Sequence, residues 1–68
     1  MRIFVNDEPR DLGAGEATVE GLMAGLGLPS FDGVAVAVND GVTPRARWAS
    51  TVFSEGDRVL VIRATQGG

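Results

Sequence analysis

The group in this sequence best placed to take part in covalent chemistry is the carboxylate that follows Gln66-Gly67-Gly68. Glycine has no Cβ and accepts backbone conformations closed to other residues. A Gly-Gly end is therefore thin enough to thread a narrow enzyme channel, although chain ends are also commonly frayed and rich in small residues. With 10 glycines in 68 residues, a Gly-Gly ending arises by chance about once in fifty such chains, so the doublet needs support from the rest of the sequence. Rival chemistries are largely absent. The chain has no Cys and no His, which excludes disulfides, zinc fingers and thiol catalysis and leaves no expected metal site. Gly13-Ala14-Gly15 lacks the third glycine, the lysine and the Ser/Thr of phosphate-cradling loops. Ser30 stands between Pro29 and Phe31, not in the Asp-Ser-Leu-like sequence at a helix start that a phosphopantetheine carrier requires. No acid/base or nucleophile constellation is present, so an independent enzyme is the least favoured reading.

Sixty-eight residues make one small domain with a marginal core. With 44% hydrophobic and 22% charged residues, the composition is globular. The net charge is −3, and the six arginines are scattered among nine acidic residues with no lysine. No basic stripe is left for nucleic acid, and an acidic surface suits solubility or docking on a basic protein. No apolar run approaches the roughly 18 residues of a membrane span, and no signal segment opens the chain. The cytosol is the expected compartment, because small secreted domains tend to be cysteine-dense.

The elements that must hold the C-terminal end can be read in order. Arg2-Ile3-Phe4-Val5-Asn6 alternates as a strand, and Asn6-Asp7-Glu8-Pro9 reads as a turn returning through Arg10-Asp11-Leu12. After the 13–17 loop, Thr18 is an N-cap and Glu20 suits the helix dipole. Val19, Leu22, Met23 and Leu26 then form one apolar stripe at helical spacing, stopped by Gly27 and Pro29. Gly21 and Gly25 are expected on the outer face of that helix, each costing about 1 kcal/mol against Ala; their Gly-x-x-x-Gly spacing has no membrane meaning outside an apolar segment. Val34-Ala35-Val36-Ala37-Val38 is the clearest strand. Asn39-Asp40-Gly41 signals a hairpin, with Gly41 available for positive φ. Val42-Thr43 begins the partner strand before Pro44. Arg45-Ala46-Arg47-Trp48 reads as a helical turn or irregular stretch, with both arginines at the surface and Trp48 packed. Thr51-Val52-Phe53 returns to the core, and Arg58 to Arg63 form a final strand.

Strands grouped around one helix indicate an α+β domain with a helix across one sheet face. The nearly all-apolar last strand belongs in the centre of the sheet. Period-2 alternation puts Ile3, Val5, Val34, Val36, Val38, Val59 and Val61 under the helix and turns Phe4, Leu60 and Ile62 outwards. No second helix is available to cover them. They are read either as a partner-docking face or as ordinary sheet surface.

This order of elements with its Gly-Gly end resembles the ubiquitin-like β-grasp fold, a mixed four- to five-stranded sheet packed on one α-helix. More narrowly, Val38-Asn39, Pro44-Arg45 with Trp48, Glu55-Gly56-Asp57-Arg58-Val59 and Gly67-Gly68 resemble the ThiS family of sulfur carriers in thiamine thiazole biosynthesis. The resemblance spans nearly the whole chain. It implies a β-grasp domain over 1–64 and a flexible tail over 65–68. The tail would thread a partner's active site through Gln66 and Gly67. An E1-like (ThiF-like) adenylating enzyme using ATP and Mg would activate the Gly68 carboxylate. A sulfur donor protein would supply the sulfur for a Gly68 thiocarboxylate, and a ThiG-like thiazole synthase would consume it. The chain itself would bind no cofactor. Two alternatives stand beside this: a carrier of the same fold for molybdopterin synthesis or another sulfur-transfer path, and a non-covalent ubiquitin-like interaction module.

Overall fold

The computed structural model describes residues 1–63. Its elements are β1 (Arg2–Val5), β2 (Glu8–Asp11), α1 (Val19–Gly25), β3 (Val34–Val38), β4 (Gly41–Thr43), a 3-10 helix (Arg45–Ser50) and β5 (Arg58–Arg63). The five strands form one sheet in the order β2-β1-β5-β3-β4. β1 and β5 are parallel, and the other neighbours are antiparallel. Two hairpins therefore flank a central last strand, and α1 lies across one face. This is the β-grasp arrangement that the resemblance implies. The boundary expected between a 1–64 domain and a 65–68 tail lies outside the described residues. Among the described residues, no helix is long and apolar enough to cross a membrane.

Seven residues are too few to hold a helix by backbone bonds alone, so α1 depends on its cap and its packing. Thr18 Oγ1 accepts the Gly21 N–H at 3.1 Å. Val19, Leu22 and Met23 are fully buried with Ile3, Val36, Val59, Trp48 and Phe53, while Leu26, Val5, Val34, Val38 and Val61 pack partly against them. The face assignment from period-2 alternation is thus correct. The helix entrance is tied to the crossover by Val19 N–H to Thr51 O (3.0 Å) and Phe53 N–H to Ala17 O (2.8 Å). Phe53 enters the core as expected, and its neighbour Val52 faces solvent.

Three local expectations need correction. Both hairpins turn on two residues, Asn6-Asp7 and Asn39-Asp40, all four with φ between 49° and 71°. Such mirror-image turns match the right-handed twist of the flanking strands, and Asn and Asp tolerate the left-handed region. Gly41 therefore begins β4 and does not supply the positive φ. Glu8 and Pro9 likewise belong to β2, with Pro9 opposite Phe4; β2 is an edge strand, where proline's missing N–H is tolerated. The helical turn read at Arg45-Ala46-Arg47-Trp48 is present as a 3-10 helix that runs on to Ser50, ending under Ser50 and Thr51 hydroxyls that both donate to Arg47 O. Its Trp48 donates Nε1–H to Thr43 O at 3.0 Å, and the exposed Arg45 guanidinium stacks 5.1 Å from the Phe31 ring centre.

Gly21 is the third correction. It does not face open solvent: a Cβ there would clash with the Gly15 carbonyl oxygen. The loop beneath it is fixed by Glu16, which accepts from Gly13 N–H at 3.0 Å and from Arg10 at 3.3 Å. These donors, the Gly13 amide first, hold the Glu16 carboxyl below its ordinary range. Gly21→Ala is accordingly expected to destabilise the domain by about 1–3 kcal/mol through overpacking, not to stabilise it through helix propensity. A rise in the urea midpoint of the variant would contradict this.

Candidate functional site

Whatever follows Arg63 is delivered by β5, so the site begins with what fixes that strand. On one side β3 pairs with all of it after Arg58, from Val38↔Val59 to Val34↔Arg63. On the other, β1 pairs only with its start, Phe4↔Arg58 and Val5↔Val59. The two hairpin asparagines complete the hold. Asn39 Oδ1 accepts the Arg58 N–H at 2.9 Å and its Nδ2–H donates to Asp57 at 3.0 Å, fixing the entrance of β5. Asn6 Oδ1 accepts the Val61 N–H at 2.9 Å, and its Nδ2–H donates to Val61 O at 3.3 Å, towards the exit. The repeated Val-Asn-Asp at 5–7 and 38–40 was a visible signal for these contacts. Its meaning depends on a partner 55 residues away for Asn6.

Among the described residues, no element covers the face of the sheet opposite α1. Phe4, Leu60 and Ile62 are 39%, 49% and 51% exposed, which places all three where the alternation puts them. The structure brings them together along a shallow groove of about 430 Å³ that also includes Ala37 and Val42. Val42 is the most exposed large apolar side chain of the patch at 77%, and the sequence reading did not include it. Leu60, Ala37 and Val42 form one row across three strands, because Ala37 pairs with both of the others. The small Ala37 keeps the row low. Asp7, Asp40 and Arg58 stand among the groove's polar lining, with Arg58 Nη2 3.2 Å from Asp40 Oδ2. That ion pair is solvent-exposed, so it adds little stability and leaves both groups reachable.

Gln66, Gly67 and Gly68, the residues expected to enter a partner and carry the reactive carboxylate, lie outside the described residues. The described part of the chain accordingly presents an apolar face with charged groups at its margin, not a constellation for acid/base or nucleophilic catalysis.

Comparison with known proteins agrees with the fold and extends through the tail. The ThiS family matches residues 3–68. The chain is 34% identical over 68 residues to the sulfur carrier protein ThiS of Escherichia coli (strain K12), covering all of both chains. It superposes on the crystal structure of the thiamine biosynthesis protein ThiS from Geobacter metallireducens with a TM-score of 0.82 at 28% identity, again over the whole of both chains. A solution structure of a thiamine biosynthesis protein from that organism gives 0.78 at 28% identity, covering all of this chain and 88% of the other. A β-grasp sheet with its last strand central, an uncovered apolar face, and a full-length match that runs through the Gly-Gly end together assign this chain to the ThiS family.

Proposed function

We propose that this protein carries sulfur for the thiazole ring of thiamine on the carboxylate of Gly68. The observation that carries the reading is the family match through residue 68, which includes Gly67-Gly68. The thiamine biosynthesis names of the structural relatives favour this pathway over molybdopterin synthesis. In the proposed cycle, an E1-like enzyme transfers AMP from ATP, with Mg, to the Gly68 carboxylate and releases pyrophosphate. The acyl adenylate then has a leaving group that a free carboxylate lacks. A sulfur nucleophile at the sulfide oxidation level attacks the acyl carbon and expels AMP, leaving a Gly68 thiocarboxylate. A thiazole synthase consumes that sulfur and returns the carboxylate.

The chain acts here as a co-substrate. With no Cys or His it has neither a thiol nor an imidazole to contribute, and the partners supply the catalytic groups. Phe4, Leu60 and Ile62 form the proposed docking face for the adenylating enzyme, while Gln66 and Gly67 occupy its channel. The proposed compartment is the cytosol, where ATP and these partners meet.

The reading is tested by intact-mass measurement after incubation with ATP, Mg, sulfide and the adenylating enzyme of the same organism. The expected result is a gain equal to the sulfur–oxygen mass difference, located on the C-terminal peptide. An unchanged mass in the presence of active enzyme would sink the proposal.

A further inference from the structure

The parallel ladder between β1 and β5 stops one step early. Phe4 N–H donates to Asp57 O and Asn6 N–H to Val59 O, each at 2.9 Å. The next group of β5 in this ladder is the Val61 N–H, and by then the chain has entered the Asn6-Asp7 turn. Asn6 supplies the missing step from its side chain: the amide oxygen accepts from Val61 N–H and the amide nitrogen donates to Val61 O. A side-chain amide carries the same donor and acceptor as a peptide group, so it can stand in for a backbone rung. Asn is also one of the few residues that tolerate the φ of 51° found there. Asn6 is exposed, and core packing does not account for its identity.

Among the described residues this is the last hold on β5 from the β1 side, two residues before Arg63. We infer that Asn6 is a positioning residue for activation of the C-terminal end, fixing through Val61 the direction in which β5 leaves the sheet. The inference rests on the sulfur-carrier reading. Solvent-exposed hydrogen bonds of this kind contribute modestly to global stability, but they govern local opening. Asn6 also lines the groove of the sheet face, so the two roles are told apart by the kinetics: delivery of the carboxylate to ATP is read in kcat, and docking of the face in KM. Asn39 holds the opposite end of the same strand by a different pair of contacts, its Oδ1 accepting the Arg58 N–H and its Nδ2–H donating to the Asp57 carboxylate, and provides an internal control.

The experiment compares wild type with Asn6→Gly, which keeps the positive φ accessible while removing the amide, with Asn6→Asp, which keeps only the acceptor, and with Asn39→Gly. Chain-dependent ATP–pyrophosphate exchange by the adenylating enzyme of the same organism gives kcat and KM, and hydrogen exchange reports the Val61 amide. Misplacement of a reacting group by about 1 Å can cost about 100-fold, so partial loosening in Asn6→Gly is expected to lower kcat about tenfold with KM within about twofold. Val61 should exchange faster, Asn6→Asp should recover part of kcat, and Asn39→Gly should keep the wild-type kcat. An unchanged kcat despite a deprotected Val61 amide overturns the inference. So does an equal loss in Asn39→Gly, which would signal general destabilisation, or a loss confined to KM, which would make Asn6 a contact residue. Wild type that supports no exchange removes the carrier reading and this inference with it.

Discussion

A chain lacking Gly68 is expected to gain no sulfur while melting at the wild-type temperature. Deletion moves the terminal carboxylate back by about 3.5 Å along an extended chain. Errors of about 1 Å in a reacting atom already cost about 100-fold, and Gly67 cannot move forward if the docked sheet fixes where the tail begins. Loss of at least two orders of magnitude in thiocarboxylate formation follows, read as absence of the mass gain at times when wild type is fully converted. Stability should not change, because among the described residues the buried core runs from Ile3 to Val59, well before Gly68. Sulfur gain in the shortened chain would remove Gly68 as the reactive residue. An unchanged mass accompanied by a lowered melting temperature would instead make the tail part of the fold.

The second large effect is expected from Leu60→Asp. Leu60 lies at the middle of the central strand, half-exposed, in the row with Ala37 and Val42. If an enzyme covers this row, the substitution forfeits the roughly 2 kcal/mol gained by burying a leucine and adds the cost of dehydrating a carboxylate. Affinity for the adenylating enzyme should therefore fall about 100-fold, as for a buried interface anchor. The domain should lose at most about 1 kcal/mol of stability, since the change is confined to strand preference on an uncovered face. Titration calorimetry and urea unfolding separate the two quantities. Wild-type affinity in the variant would reduce Phe4, Leu60 and Ile62 to ordinary sheet surface, the other reading their exposure allows.

These residues were legible in the sequence because alternation has a period of two and the two faces of this sheet have different surroundings. Val34, Val36 and Val38 against Ala35 and Ala37 set the register, and the apolar run 59–62 set the centre. The helix was legible for a similar reason: Thr18, the Val19-Leu22-Met23-Leu26 stripe and Gly27 are all local signals. What sequence reasoning missed is non-local. Nothing near Gly21 announces the carbonyl of Gly15 pressed against it, and helix propensity alone gives the wrong sign for its replacement. The Asn-Asp turns were seen as turns, but the positive φ was assigned to Gly41 because glycine is the commoner solution. Val42 was overlooked because its strand is only three residues long and shows no alternation to read. The role of Gly68 came from the family resemblance, and two glycines in a glycine-rich chain could not have supplied it alone.

The central place of β5 has a consequence for how the molecule comes into being. Each hairpin can close as soon as its own few residues leave the ribosome. The two cannot join until the last strand slots between them, and its pairing with β1 brings Phe4 to Arg58 across most of the chain. Long-range pairing of this kind is the slow, entropically costly part of folding. The surface proposed to dock the activating enzyme draws Phe4 from β1, Leu60 and Ile62 from β5 and Val42 from β4, so it does not exist before that step. An enzyme that gripped this face would thereby be restricted to finished molecules, and ATP would not be spent on nascent or misfolded ones.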